Sequence, residues 1–291
     1  MLLSIEGDEA VGKTTLALSA PLPIVSFNFD MGAERAMMGG KFNELFNGVD
    51  IHYVPYDQSP AVLQGRIEGE TGLWEGHDIT VFELPPPVQL DSIRVKGYVT
   101  LWTYFIAMCA KAFMANQVKT LVVDTMTVAR RVKCDAFLES LQNAAFDASG
   151  KRIAGVHLRE RLSQIEYGNP NDAIRDVYTT GAGVRKNLIA VHHMTDEYAK
   201  MPNEKGMIED KATGRRVLEG LKNTPRFVDI AIRLTKDKGQ VKGEFLKFGY
   251  NLAMEGTSQE NPSWDKIANV VATATGDRIQ LDRRKPDAVQ P

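Results

Sequence analysis

Near the start of the chain, Gly7, Asp8, Glu9, Ala10, Val11, Gly12, Lys13, Thr14 and Thr15 follow the spacing G-x-x-x-x-G-K-[ST]. The chemistry open to that spacing is phosphate binding with a metal ion. Gly7 and Gly12 permit backbone dihedrals that other residues resist, so successive N–H groups can turn inward onto phosphate oxygens. A helix beginning near Lys13 adds free N–H groups and the positive end of its dipole. Lys13 is placed to reach the β- and γ-phosphates, and Thr14 to offer a hydroxyl to magnesium. The pattern implies a nucleoside triphosphate, with ATP and Mg2+ as cofactors, along the whole loop from Gly7 to Thr15.

Three further positions lie at the ends of apolar runs. Asp124 closes the run Thr120, Leu121, Val122, Val123 and precedes Thr125. A carboxylate at a strand end can hold, through water, the metal that Thr14 binds directly; the competing reading is an ordinary surface Asp. Hydrolysis also needs a group that orients the attacking water. Asp30, which ends the run 24–29, is the first candidate and Glu34 the second, with helix capping as the competing role for Asp30. His192 and His193 follow the run 188–191. A polar side chain there can bond a γ-phosphate and report its loss to the segment that follows.

These residues need a frame that sets strand ends side by side, and the pattern supplies one. Strand-like runs at 2–6, 24–29, 51–54, 79–84, 119–124 and 188–191 alternate with helix-like stretches. The helical stretches run to about 19 and 46, and over 95–115, 128–145 and 171–186. Such alternation predicts an α/β fold with a mostly parallel central sheet flanked by helices. The aromatic stripe within 95–115 reads as core packing. Segment 58–77 is polar and glycine-rich and reads as irregular, and 147–152 reads as a turn. Residues 228–235 and 241–248 alternate around Lys236, Asp237, Lys238, Gly239 and Gln240, which predicts a C-terminal antiparallel hairpin. A short amphipathic helix follows at 264–274. The expected division is one ATPase domain over 1–275 and a flexible tail over 276–291. Residues 194–226 show no clear periodicity, and a stretch of that length predicts a mobile, functional loop.

Composition narrows the function classes. The chain has 291 residues, 43% of them hydrophobic, which suffices for a sizeable core. A formal net charge of −2 excludes coating of nucleic acid by bulk charge, so any such contact must be local. Cys109 and Cys134 have no metal spacing and read as buried thiols in a reducing compartment. No secretory signal is read at the N-terminus. The longest apolar stretch, 101–114, contains Lys111 and is too short to span a bilayer. A cytoplasmic protein without membrane contact is expected.

In this order, the elements resemble the RecA/RadA recombinase ATPase core, closest to compact phage-encoded proteins that anneal single strands with ATP. Gly7 to Thr15 matches the first nucleotide motif of that family. The run from Ile24 to Asp30 resembles the strand bearing its catalytic carboxylate, and Leu121 to Thr125 resembles its second motif. The run from Leu188 to His193 resembles the strand ending in its polar switch residue. The resemblance implies that 194–226 binds single-stranded DNA, and that the host cell is bacterial if the chain is phage-encoded. Ile232 to Lys238 resembles the strand whose Lys-x-Lys pair enters a neighbouring subunit's ATP site, which gives Lys236 and Lys238 a trans-acting role beside the reading as a polar hairpin tip. A homo-oligomer, ring or filament, with ATP between subunits follows, and a single-strand-binding protein stands as a further possible partner. The family's catalytic Glu is expected as Asp30 here, or else shifted to Glu34, His stands where the family has Gln, and the N-terminal polymerisation segment is expected to be missing. Annealing is therefore expected rather than strand exchange.

Within 194–226 the candidate DNA contacts are Lys200, Lys205, Lys211, Arg215 and Arg216, with Tyr198 as a base-stacking candidate and Phe227 as a core residue. With Lys222 and Arg226 counted as well, the anions Asp196, Glu197, Glu204, Glu209, Asp210 and Glu219 bring the net charge there to only +1. Local clustering at 211–216 must then carry the contact. Two other readings share the phosphate loop: a kinase for a nucleotide or other small molecule, and a slow nucleotide-dependent assembly switch.

Overall fold

The computed structural model describes residues 1–38, 45–69, 72–89, 94–147, 149–202 and 207–281. The strands are β1 (Leu2–Gly7), β2 (Ile24–Asn28), β3 (Ile51–Val54), β4 (Ile79–Glu83), β5 (Thr120–Asp124) and β6 (Asn187–His192), followed by β7 (Met194–Pro202), β8 (Ile208–Leu218), β9 (Ile230–Asp237), β10 (Gln240–Phe248) and β11 (Ser258–Glu260). The helices are α1 (Lys13–Leu18), α2 (Ala33–Met38), α3 (Pro60–Glu68), α4 (Tyr98–Met114), α5 (Met126–Asn143), α6 (Gly168–Gly183) and α7 (Trp264–Ala274). Nine strands form one sheet in the order β11-β10-β9-β1-β6-β5-β2-β4-β3. From β9 to β3 every pairing is parallel, and β10 and β11 join antiparallel. The protein is thus mixed α/β, a mostly parallel sheet flanked by helices with a C-terminal antiparallel hairpin.

Both faces of the sheet are covered, which is why the central strands read as continuous apolar runs. On one face Phe27, Phe29, Val123 and Ala190 pack with Phe105 of α4, Val132 of α5 and Ile174 of α6. On the other, Ile5, Val122, Ile189 and Ile232 pack with Leu16 of α1, Met37 of α2 and Ile267 of α7. The aromatic stripe of α4 is core: Phe105 meets Phe27 and Phe29 edge-on, each at 5.1 Å between ring centroids. Burying such a ring contributes about 1.5–3 kcal/mol. Cys109 and Cys134 are buried free thiols. Among the described residues no helix is long and apolar enough to cross a membrane.

Two segments depart from the sequence expectation. Segment 58–77 is not wholly irregular, because α3 occupies Pro60–Glu68 with a proline in its first turn. Leu63 is the one fully buried residue of α3, so no apolar stripe marks it in the sequence. Within 194–226, most of the described residues form a two-stranded ribbon rather than a loop, β7 paired antiparallel with β8 from Met194↔Leu218 to Pro202↔Ile208. Solvent reaches both faces of the ribbon beyond its base, so charged residues occupy both and the alternation that marks a half-buried strand is lost. Lys205 lies outside the described residues, as do residues 282–291 of the expected tail.

Candidate functional site

The candidate residues collect at the carboxyl ends of parallel strands. β1 ends at Gly7, β2 just before Asp30, β5 at Asp124 and β6 just before His193. The order β1-β6-β5-β2 sets those ends side by side, in the crevice where open α/β sheets bind ligands. A cleft of about 670 Å³ opens there, walled by the loop 9–15 together with Asp30, Arg35, His193 and Lys236.

The phosphate loop owes its shape to two glycines. A Cβ on Gly7 would lie 2.7 Å from the Leu234 carbonyl oxygen and 2.9 Å from the Val11 side chain. Gly12 has φ 89°, left-handed backbone that a side chain would strain. Gly12 precedes α1 and supplies no side-chain cap, so the first amides of the helix have no capping side chain. The Lys13 ammonium donates to the carbonyls of Gly7 (2.9 Å) and Asp8 (2.6 Å). Burial pulls its pKa down, and the carboxylates of Asp124, Asp30, Asp8 and Glu9 oppose that shift.

The Thr14 hydroxyl donates to Asp124 Oδ2 at 2.6 Å. Asp124 Oδ1 is buried and has no hydrogen-bond partner. Burial, and then the nearby Asp30 charge, push the Asp124 carboxyl up to about 7 against the pull of Thr14 and Lys13. A buried carboxylate oxygen without a partner, beside a hydroxyl, fits a small hard cation that takes its other ligands from water and phosphate. No cluster of three His, Cys, Asp or Glu side chains that could hold a metal by itself occurs among the described residues.

Asp30 does two jobs at once. Its Oδ1 accepts the Gly32 N–H at 3.1 Å, tightening the turn into α2, while Oδ2 stands 3.8 Å from His193 Nε2. Burial and the Lys13 charge lower the His193 pKa, which keeps the ring neutral at pH 7. The His193 backbone N–H donates to the Thr127 hydroxyl at 3.0 Å, and that hydroxyl donates to the Glu219 carbonyl at 3.1 Å.

Other expected residues stand elsewhere. His192, expected beside the nucleotide, points into the interior, where Nε2 meets the Tyr178 hydroxyl at 3.1 Å. Its ring is buried, and burial drives the pKa down to about 3. The alternation of β6 explains this, since consecutive side chains face opposite ways and only His193 meets the cleft. Glu34 is exposed on α2, and its charge acts on the Tyr53 phenol instead of on the cleft. Lys236 lines the cleft of its own chain, while Lys238 stands at the hairpin tip with φ 46° and is not part of that wall. Arg35 was missed; a basic residue one turn past Asp30 was the available signal.

On the ribbon, Lys200, Lys211 and Arg215 are exposed, as is Tyr198 at 61%. Arg216 is exposed too, but its guanidinium is already engaged by Asp8, Asp196 and the Met194 carbonyl. Phe227 stacks on Tyr178 at 6.1 Å, a core contact as expected.

No family model matches the chain, and no curated protein matches it. Among solved structures the chain is similar to the RadB recombinase, at 11% identity and a TM-score of 0.42 over 89% of this chain and 85% of that one. A likeness of that degree carries no argument, and the site stands on its own geometry.

Proposed function

We propose that the protein binds and hydrolyses ATP with Mg2+ at the 7–15 loop and couples turnover to single-stranded DNA held along the β7–β8 ribbon, promoting annealing as a RecA-like, cytoplasmic protein. The observation that carries the ATPase reading is the Thr14–Asp124 contact of 2.6 Å at the mouth of a glycine loop whose helix amides are uncapped. In that reading the loop amides and Lys13 bind the β- and γ-phosphates, and Lys13 exchanges its loop carbonyls for phosphate oxygens. Thr14 and Asp124 hold the metal, which when bound neutralises charge on the phosphates. Asp30 orients the attacking water, with neutral His193 alongside as a hydrogen-bond partner for that water or for the γ-phosphate. Arg35 and Lys236 supply positive charge at the cleft wall.

What favours DNA as the coupled ligand is the ribbon itself. It leaves the sheet directly after His193 and exposes Lys200, Lys211, Arg215 and Tyr198, with Lys200 two residues along β7 on the face of Tyr198. Cations along a backbone track with an aromatic face for bases are the parts that single-strand binding uses. ATP turnover by purified protein, alone and with single-stranded or duplex DNA, is the test, with Lys13→Ala as control. Stimulation by single strands and loss of turnover in Lys13→Ala are expected. Turnover indifferent to DNA removes the coupling and turns the search to phosphoryl acceptors or an assembly switch.

A further inference from the structure

The phosphate loop carries two carboxylates, Asp8 and Glu9, in the segment that the proposed reading fills with a highly anionic triphosphate. Carboxylates so placed repel the ligand unless a cation offsets them. Lys13 is the one cation within the loop, and its hydrogen bond goes to the Asp8 backbone carbonyl, leaving the carboxylate without a bonded cation from the loop itself. The offsetting cation comes from far along the chain. Arg216, on β8, donates through Nη2 to Asp8 Oδ1 at 2.6 Å. Its other amino group, Nη1, donates to Asp196 Oδ1 at 2.9 Å, and Nη2 also meets the Met194 carbonyl at 3.0 Å. The guanidinium fork therefore spans the first turn of the ribbon and the phosphate loop. These contacts lie in a second cleft of about 510 Å³ that adjoins the first and shares Glu9 and His193 with it.

The base of the ribbon is fastened to the same place from the other side. Met194 and Leu218 pair at its root, both buried, and the Glu219 N–H donates to the His193 carbonyl at 2.9 Å. Arg131 of α5 in turn meets Glu219 at 3.1 Å. The position of Arg216 is thus set by the ribbon's base, and the position and net charge of the Asp8 corner are set by Arg216.

We infer that Arg216 is a positioning residue for the nucleotide: it neutralises and anchors Asp8, so that docking of the ribbon and binding of a triphosphate favour each other. The inference rests on the reading of the 7–15 loop as a triphosphate site. In this role Arg216 acts through Asp8. Coupling of this kind is reciprocal, so bound nucleotide holds the ribbon's base in place as firmly as the docked ribbon favours nucleotide.

The test uses the full-length protein, measuring ATP–Mg2+ affinity by titration calorimetry and hydrogen exchange of the ribbon amides with and without nucleotide. Arg216→Ala is expected to weaken nucleotide binding roughly two- to fivefold, the upper part of the range for an exposed charge pair, with little change in kcat. Asp8→Asn in the Arg216→Ala background is expected to restore affinity, because it removes the charge that Arg216 offsets. Nucleotide is expected to slow exchange at 194–196 and 216–218 in the parent protein and not in Arg216→Ala. If the parent protein binds nucleotide and Arg216→Ala binds it equally well, the inference is wrong. If Arg216→Ala is weakened and Asp8→Asn does not restore it, the charge argument fails and a merely structural role remains. If the parent protein binds no triphosphate at all, it is the reading of the site that has failed.

Discussion

Asp124 and Asp30 are neighbouring carboxylates in different surroundings. Asp124 is buried with an unpaired oxygen, whereas Asp30 is partly open and capped onto Gly32. With its pKa raised to about 7 from an ordinary 3.8, Asp124 keeps a proton in the folded chain that the unfolded chain has already released. Below the lower value both states are protonated, so no difference exists; between the two, stability falls as pH rises. Asp124→Asn removes that slope. In metal-free buffer its stability advantage over the parent is expected to widen across this window, reaching about 1 kcal/mol or more at pH 7. Urea melts at several pH values measure this, and a gap that stays flat overturns it. Asp124→Asn should also lose the stabilisation that Mg2+ and ATP give the parent. Asp30→Asn should lower kcat by about 10²- to 10⁴-fold while ATP still binds, as removal of a general base does; equal turnover would pass the water-orienting role to another group.

At the scale of elements, the site depends on helices that begin where strands end, and their first amides are dealt with in two ways. α1 leaves its amides uncapped at the phosphate loop. α4 begins after Gly97 with no cap of its own and is served from α5, where the Glu139 carboxylate accepts from Gly97 N–H at 3.0 Å and Val99 N–H at 2.8 Å. That carboxylate joins the two helices that cover the sheet below Asp124. Glu139→Ala leaves two partly buried amides without partners, and a loss of about 1–3 kcal/mol in a denaturant melt is expected. Turnover per folded molecule should hold, since Glu139 is remote from the cleft wall; a drop in turnover without a drop in stability would contradict this division of labour.

For the whole molecule, the question is whether one chain makes a complete site. Lys236 lines its own chain's cleft, whereas Lys238 stands at the hairpin tip, free of that wall. An oligomer with ATP between subunits, as expected from the sequence, would have Lys236 work within its own chain and Lys238 in the neighbour's site. Each single Ala variant is expected to reduce turnover with nucleotide binding retained. Mixing Lys238→Ala with Lys13→Ala should restore part of the activity, because intact clefts then receive intact tips. Mixing Lys236→Ala with Lys13→Ala should not. Rescue of the second mixture, or none of the first at any ratio, would reverse the assignment.

Local patterns alone determined the central strands, the glycine turn between β1 and α1, the place of Asp124 at the end of β5 and the C-terminal hairpin. Each rests on a short-range cause: apolar runs buried on two faces, glycines where the backbone turns, a carboxylate at a strand's end. The residues 58–77 and 194–226 were misread because α3 buries little and the ribbon is wet on both faces, so neither imprints a period on its sequence. Which of two adjacent histidines meets the cleft was settled by strand pleat and register, which put His192 against Tyr178 and His193 beside Asp30. Only the tertiary structure could bring Arg216 to Asp8, 208 residues earlier in the chain, because that contact follows from where β8 returns to the sheet and leaves no mark in either local sequence.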